Sequence, residues 1–316
     1  MYYIGIDLGG TNIAIGICDE KGKIIIKDSI PTIKERDISE IVDDMVALAE
    51  ELVKRSKIDH TCIKGVGIGS PGMIDNTNGM VVYANNLGMD HYPLANEFKK
   101  RFSLDVPVNL ENDANAAALG EYIYSGEDSQ SFVLITLGTG VGGGIIIDGK
   151  IHRGFNGTGA EIGHQMLVYG GKPCGCGRLG CYEAYASVSA LIEQTKESIV
   201  DHPWSQMTAW AKEKGTVNGR CAFECAAMGD ETAIYVRDQY IEYVAAGICS
   251  LVTILQPKTI AIGGGISREG NILLEPIKSY LQENNFNKGV PVTDIRIAKL
   301  LGDAGIVGAA ASAMKI

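Results

Sequence analysis

The chain opens with apolar residues that run continuously or alternate, and glycines and polar residues bound each run. "YYIGIDL", "NIAIGICD" and "KIIIKDSI" read as three strands, with "LGGT" and "DEKG" at the bends. Between Asp37 and Lys57 the period changes. Ile38, Ile41, Val42, Met45, Leu48, Ala49, Leu52 and Val53 fall on one face at helical spacing, opposed by acids and lysines, which predicts an amphipathic helix. "CIKGVGIGSPG" reads as a buried strand ending in a Pro-Gly turn, and "DVPVNLEND" as a short strand running into the helix "ANAAALGEYIY". Residues 1 to 112 therefore read as one α/β domain.

At residue 131 the opening pattern returns. "SFVLITLGTGVGGGIIIDGKI" repeats the plan of "YYIGIDLGGTNIAIGICDEKGKI": strand, glycine and threonine bend, strand, polar Gly-Lys turn, strand. This predicts an internal duplication. Further on, Glu231 to Leu255 reads as a long helix that stops before Pro257, because proline restricts the residue preceding it. "KTIAIGGGIS" is a strand with a glycine turn, and "DAGIVGAAASAM" a closely packed helix with Asp303 placed to cap it.

Length and composition sharpen this picture. A chain of 316 residues exceeds what one core usually fills, so two domains are expected. Forty glycines beside an ordinary apolar fraction of 46% must serve specific turns. A formal charge of -10 gives nucleic acid and anionic membrane surfaces little reason to associate. "MYYIGIDLGG" has no basic leader, and the longest apolar run falls short of the roughly 20 residues that span a bilayer. A cytoplasmic protein with reduced thiols is expected, and clustered cysteines then suggest a metal.

"GTGVGG", from Gly138, matches the dinucleotide-binding glycine pattern literally, but "GIIIDGK" continues as a strand where that motif needs a helix. No P-loop sequence is present. What remains is a strand-turn-strand hairpin with glycine and threonine at the bend, and it occurs twice. Such bends let backbone N–H groups approach phosphate oxygens, with Thr11 and Thr139 as hydroxyl donors, or they are merely tight turns. Their pairing, with Asp7 at the end of the first strand where it could hold Mg²⁺ through water, favours a nucleotide triphosphate.

"DLGGTN", "SPGMID", "ENDANAAALGE", "EIGH", "CGCGRLGCYEAYAS" and "IGGGIS", in this order, resemble the ROK family of bacterial sugar kinases, and its glucokinases most closely. The resemblance implies the two-domain actin, hexokinase and Hsp70 (ribonuclease H-like) α/β fold, with duplicated mixed sheets and a cleft between domains. On it, residues 1–112 and 302–316 would form a small domain and 113–301 a large one that carries the cysteine loop. It implies ATP phosphates held by Gly9, Gly10, Thr11 and Asn12 and by Gly138, Thr139 and Gly140. Gly263, Gly264 and Gly265 would lie beside the adenosine, and Asp7 would orient Mg²⁺. Repressor members carry an N-terminal helix-turn-helix, whereas the first strand here starts at Tyr2, so no DNA-reading role is expected. A homodimer is what the family suggests.

Phosphoryl transfer to a sugar hydroxyl needs a carboxylate to receive the proton. Asp113 stands where a strand enters a helix, which equally suits an N-cap. The resemblance assigns it as the general base, with Asn112 as a sugar partner. Of Asn85 and Asn86 in "YANNLG", the family aligns Asn86 with a sugar contact, though either could simply accommodate a left-handed turn. Gly72, Glu161, His164 and Glu183 complete the sugar set by resemblance. Cys174, Cys176 and Cys181 have C-x-C-x4-C spacing, with Gly175, Gly177 and Gly180 permitting tight bends, and with His164 they fit a closed tetrahedral Zn²⁺ site. An iron-sulfur cluster would leave His164 as an unusual fourth ligand. Cys221 and Cys225, at i and i+4, read as one helix face, and Cys18, Cys62 and Cys249 are expected to be buried packing residues. The expected activity is ATP-dependent phosphorylation of glucose at its 6-hydroxyl. The alternatives are a kinase for N-acetylmannosamine, fructose or mannose, or a sugar-sensing protein without catalysis.

Overall fold

A computed structural model describes residues 1–126, 130–286 and 288–314. The chain begins with β1 (Tyr2–Leu8), β2 (Asn12–Asp19) and β3 (Ile24–Pro31), an antiparallel meander as the alternating pattern predicts. Helix α1 (Ile38–Ser56) starts at a capping box: the Asp37 side chain accepts from Ser39 N, and Glu40 reaches back to the Asp37 backbone N–H. β4 (Ile63–Ser70) returns parallel to β1. Three short strands, β5 (Met73–Asp75), β6 (Met80–Ala84) and β7 (Met89–Tyr92), form a separate small sheet, followed by α2 (Leu94–Arg101), β8 (Val108–Asn112) and α3 (Asp113–Tyr124).

The second half runs β9 (Ser131–Leu137), β10 (Val141–Ile147) and β11 (Lys150–Ile151), then helices α4 (Glu183–Ala186), α5 (Val188–Asp201), α6 (Gln206–Lys214), α7 (Cys221–Ala227) and α8 (Glu231–Leu255). β12 (Thr259–Gly263), α9 (Asn271–Asn284), β13 (Asp294–Ile297) and α10 (Ala304–Ser312) close the chain. The two large sheets have orders β3-β2-β1-β4-β8 and β11-β10-β9-β12-β13. Strand for strand these are the same arrangement, with β10–β11 antiparallel and β12–β13 parallel, as β2–β3 and β4–β8 are. The duplication read from residues 2–24 and 131–151 therefore extends to the whole sheet.

Two compact units result. The first comprises Met1–Leu134, Gly143–Ala160 and Lys299–Ile316; the second comprises Ile135–Gly142 and Glu161–Ala298. The first unit runs past residue 112 because α10 packs on α3 as well as on β1 and β4. Glu121 of α3, fully buried, accepts from Lys299 N at 2.5 Å and Leu300 N at 2.9 Å, which ties that helix to the chain entering α10. The core of the first unit is aliphatic, built from the inward residues of β1, β2 and β4 and the apolar face of α1.

Two local expectations are corrected. Asp303 does not cap α10: its backbone is already helical and its carboxylate takes the Lys27 ammonium at 2.6 Å. Cys62 is exposed, because it ends a surface 3₁₀ turn before β4, and Cys249 is half-buried, whereas Cys18 is buried as expected and Cys221 and Cys225 share helix α7 as read, both buried. All eight thiols are free.

Candidate active site

In the first unit, β1, β4 and β8 run parallel with Asp7 opposite Gly69, Gly69 opposite Glu111 and Ser70 opposite Asn112. Asp7, the Ser70-Pro71-Gly72 turn and the Asn112-Asp113 pair therefore gather at the carboxyl ends of adjacent parallel strands, where α/β sheets place their ligands. The β1–β2 bend is closed by Gly9 N–H donating to Asn12 O at 2.9 Å, and the Thr32 hydroxyl donates to Gly9 O at 2.8 Å. Thr11 and Asn12 are exposed at its tip. A Cβ built on Gly10 would lie 3.8 Å from Asn86 Cβ, so the bend and Asn86 are neighbours. Asn86 is an exposed residue of a 3₁₀ turn, Asn85–Leu87, and the left-handed position belongs to Gly88. Neither asparagine is there to accommodate a positive φ.

The roles open at the β8–α3 junction are separated by geometry. Asn112 is the N-cap: its Oδ1 accepts from Ala114 N at 3.0 Å and Asn115 N at 3.1 Å, while its Nδ2 donates to Gly72 O at 3.2 Å. The Asn112 side chain also hydrogen-bonds the Asp113 carboxylate. Asp113 is the first helical residue, and one of its oxygens accepts from Ala114 N at 2.8 Å. Burial pushes the Asp113 carboxyl above its ordinary value, against the lowering effect of that N–H. Asp7 is pushed up to about 6, first by burial and then by the charge of Asp113. The first turn of α10 abuts this carboxylate at Gly305, where any side chain would collide with it.

In the second unit, the β9–β10 bend is held by Gly138 N–H donating to Gly140 O at 3.0 Å and by Val188 N–H donating to Gly138 O at 2.8 Å. Thr139 is exposed at its tip. Gly263 ends β12, and Gly264, with φ of 86°, presses on the Leu137 carbonyl so closely that only glycine fits; Gly265 begins the turn that follows. The two glycine loops of this unit thus lie together. Glu183, the first residue of α4, accepts from Val141 N at 2.9 Å through Oε2, the same atom that fills the space beside Gly140. Its Oε1 lies 3.7 Å from Cys174 Sγ. Glu161 is exposed at the start of the 3₁₀ turn Ile162–His164, and among the described residues its carboxylate has no hydrogen-bond or ion-pair partner.

The loop between this turn and α4 folds on itself through Leu167 N to Gly180 O, Gly180 N to Lys172 O and Cys174 N to Arg178 O, all between 2.8 and 2.9 Å. Gly177 and Gly180 take the positive φ its bends require; Gly175 does not. His164 Nδ1 lies 3.7 Å from Cys174 Sγ, Cys176 Sγ lies 3.6 Å from Cys181 Sγ, and all four donors are within 4.8 Å of one another. Sulfurs about 2.3 Å from a tetrahedral zinc stand roughly 3.8 Å apart, so the donors fit that ion in number, type and spacing. Nδ1 faces the cluster, which leaves Nε2 of His164 to face elsewhere.

The sequence pattern of the ROK family matches residues 3–316. The chain belongs to the ROK family. It is 36% identical to the glucokinase of Halalkalibacterium halodurans over 97% of its length and 93% of that protein's. It is 38% identical to the glucokinase of Streptomyces coelicolor over 97% of its length and 96% of that protein's. Among solved structures, a ROK family glucokinase from Streptomyces griseus in complex with glucose and AMPPNP superposes with a TM-score of 0.79, at 35% identity and 98% coverage of both chains. The fold is the two-domain actin/hexokinase-like fold of ROK sugar kinases. Two residues that sequence reasoning missed stand beside the predicted site: Glu111, buried in β8, and Arg153, which pairs with it. The acid directly before Asn112-Asp113, at a position of β8 that the sheet covers, was the available signal.

Proposed function

We infer that this chain transfers the γ-phosphoryl group of ATP to the 6-hydroxyl of glucose, giving glucose 6-phosphate and ADP. The observation that carries the reading is the division of labour at the β8–α3 junction. Asn112 caps the helix, so Asp113 is a half-buried carboxylate with a raised pKa that is released from the capping role. As the glucose O6 forms its bond to the γ-phosphorus and the bond to the bridging β,γ-oxygen breaks, Asp113 accepts the hydroxyl proton. A carboxyl raised toward neutrality holds that proton better than an ordinary aspartate. The kinship with glucokinases and with a glucokinase holding glucose and AMPPNP supports both substrates.

The remaining assignments follow the residues. The bends at Gly9–Asn12 and Gly138–Gly140 offer backbone N–H groups and threonine hydroxyls to phosphates, and Gly263–Gly265 lie beside the nucleoside. Asp7 suits Mg²⁺ because it is a half-buried carboxylate with no hydrogen-bond partner among the described residues, and its electrostatics improve on gaining a cation. When bound there, Mg²⁺ supplies charge neutralisation to the phosphates. Asn86, Gly72, Asn112, Glu161, His164 and Glu183 recognise the sugar hydroxyls. His164, Cys174, Cys176 and Cys181 hold zinc, which fixes the imidazole so that Nε2 presents a defined direction to the sugar. The test is ADP release with ATP and magnesium across a panel of hexoses and N-acetylhexosamines. Glucose should give the highest kcat/KM; a higher value for N-acetylmannosamine, fructose or mannose would reassign the substrate.

A further inference from the structure

Glu111 is 1% exposed, yet it carries a carboxylate in the middle of a strand junction. Each of its oxygens is committed. Oε1 accepts from Asn112 N at 3.0 Å and Asn115 Nδ2 at 3.3 Å, and Oε2 accepts from Arg153 Nε at 2.9 Å and from Arg153 Nη2. One carboxylate therefore holds the residue before Asp113 and the first turn of α3, and is itself held by both donors of a guanidinium fork. Arg153 opens a loop that closes on itself, with Gly159 N–H donating to Arg153 O at 2.9 Å and the Thr158 hydroxyl donating to Asn156 Oδ1 at 2.8 Å. A Cβ built on Gly157 would lie 3.0 Å from Ile74 O, so the loop runs beside β5, the strand that follows Gly72.

We propose that Arg153 is a positioning residue for the phosphoryl transfer, acting through Glu111 to set the angle at which Asn112 and Asp113 leave β8 and to hold the 153–159 loop against the Gly72 turn. The inference rests on the kinase reading above. A buried acid needs only a cation to be tolerated, and a lysine would supply that. The two-pronged contact of the Arg153 Nε and Nη2 adds direction, which a point charge does not. General-base catalysis is sensitive to such direction, because a displacement of about 1 Å can lower a rate by roughly 100-fold.

The experiment compares Arg153→Lys and Arg153→Ala with the wild type for kcat, for glucose and ATP KM, and for melting temperature. Arg153→Lys keeps the charge and should melt close to the wild type, with kcat lowered about 10-fold, glucose KM raised and ATP KM within about twofold. Arg153→Ala should lose about 100-fold in kcat, and millimolar guanidinium chloride should restore part of it, since the Arg153 side chain is 38% exposed and the fork's place can be reached from solvent. A structural role alone would lower melting temperature without that rescue. Wild-type kcat in folded Arg153→Lys, or no guanidinium rescue of folded Arg153→Ala, overturns the inference. A wild type that releases no ADP with glucose removes the kinase reading itself, and the inference with it.

Discussion

Asp7 is held by the fold in a state that weakens the fold. Its carboxyl, ordinarily near 3.8, sits at about 6 in the folded chain, because burial and the neighbouring Asp113 both oppose its ionisation. A shift of about two units corresponds to at most about 3 kcal/mol lost on ionisation, and its partial solvent access brings this nearer ~1–2 kcal/mol. The sign follows from linkage. The folded chain binds the Asp7 proton more tightly than the unfolded chain, so this stabilisation is complete below about 3.8 and is lost as pH rises through about 6. Asp7→Asn removes the charge while keeping the shape. Without nucleotide or added magnesium, the variant should melt higher than the wild type at pH 8, by about 2–8 °C for ~1–2 kcal/mol, and the gap should close toward pH 4.5. In the kinase assay the same variant should lose magnesium-dependent turnover. Scanning calorimetry at four pH values decides the point. Equal melting temperatures at pH 8, or a gap that widens on acidification, would refute the reasoning.

Cys176→Ala removes an exposed thiol of the four-donor set; bound zinc, measured by metal analysis, should fall from one per chain to near none, and glucose KM should rise while ATP KM changes little. Unchanged glucose KM in zinc-free protein would separate the metal from sugar recognition. Gly140→Ala places a methyl group where Glu183 Oε2 sits and breaks its bond to Val141 N, a charged hydrogen bond of about 1.5–3 kcal/mol. Glucose KM should rise about tenfold or more, read by steady-state kinetics, with the fold retained.

The strands and the duplicated sheet were legible because apolar runs bounded by glycine bends carry their own period. "YYIGIDL" and "SFVLITL" became equivalent strands, each the third in its five-strand order. The four-donor cluster of His164, Cys174, Cys176 and Cys181 was legible because three lie within eight residues and the fourth ten before them. Caps were less so. Asn112 and Asp113 are both good cap residues, and only backbone geometry shows that Asn112 takes the role; Asp303 reads as a cap but is drawn off by Lys27, 276 residues away in sequence. Glu111 and Arg153 escaped notice for the same reason, since a pair 42 residues apart leaves no local spacing to read. The β5–β7 sheet was missed because strands of three to five residues show too few alternations to set a period.

The central claim is that Asp113 receives the proton of the glucose 6-hydroxyl. Asp113→Ala, assayed for glucose-dependent ADP release beside a calorimetric glucose titration, tests it most directly. Turnover should fall by about 10²–10⁴-fold, the usual contribution of a general base, while glucose still binds within about tenfold of wild-type affinity. Turnover within about tenfold of wild type would contradict the account.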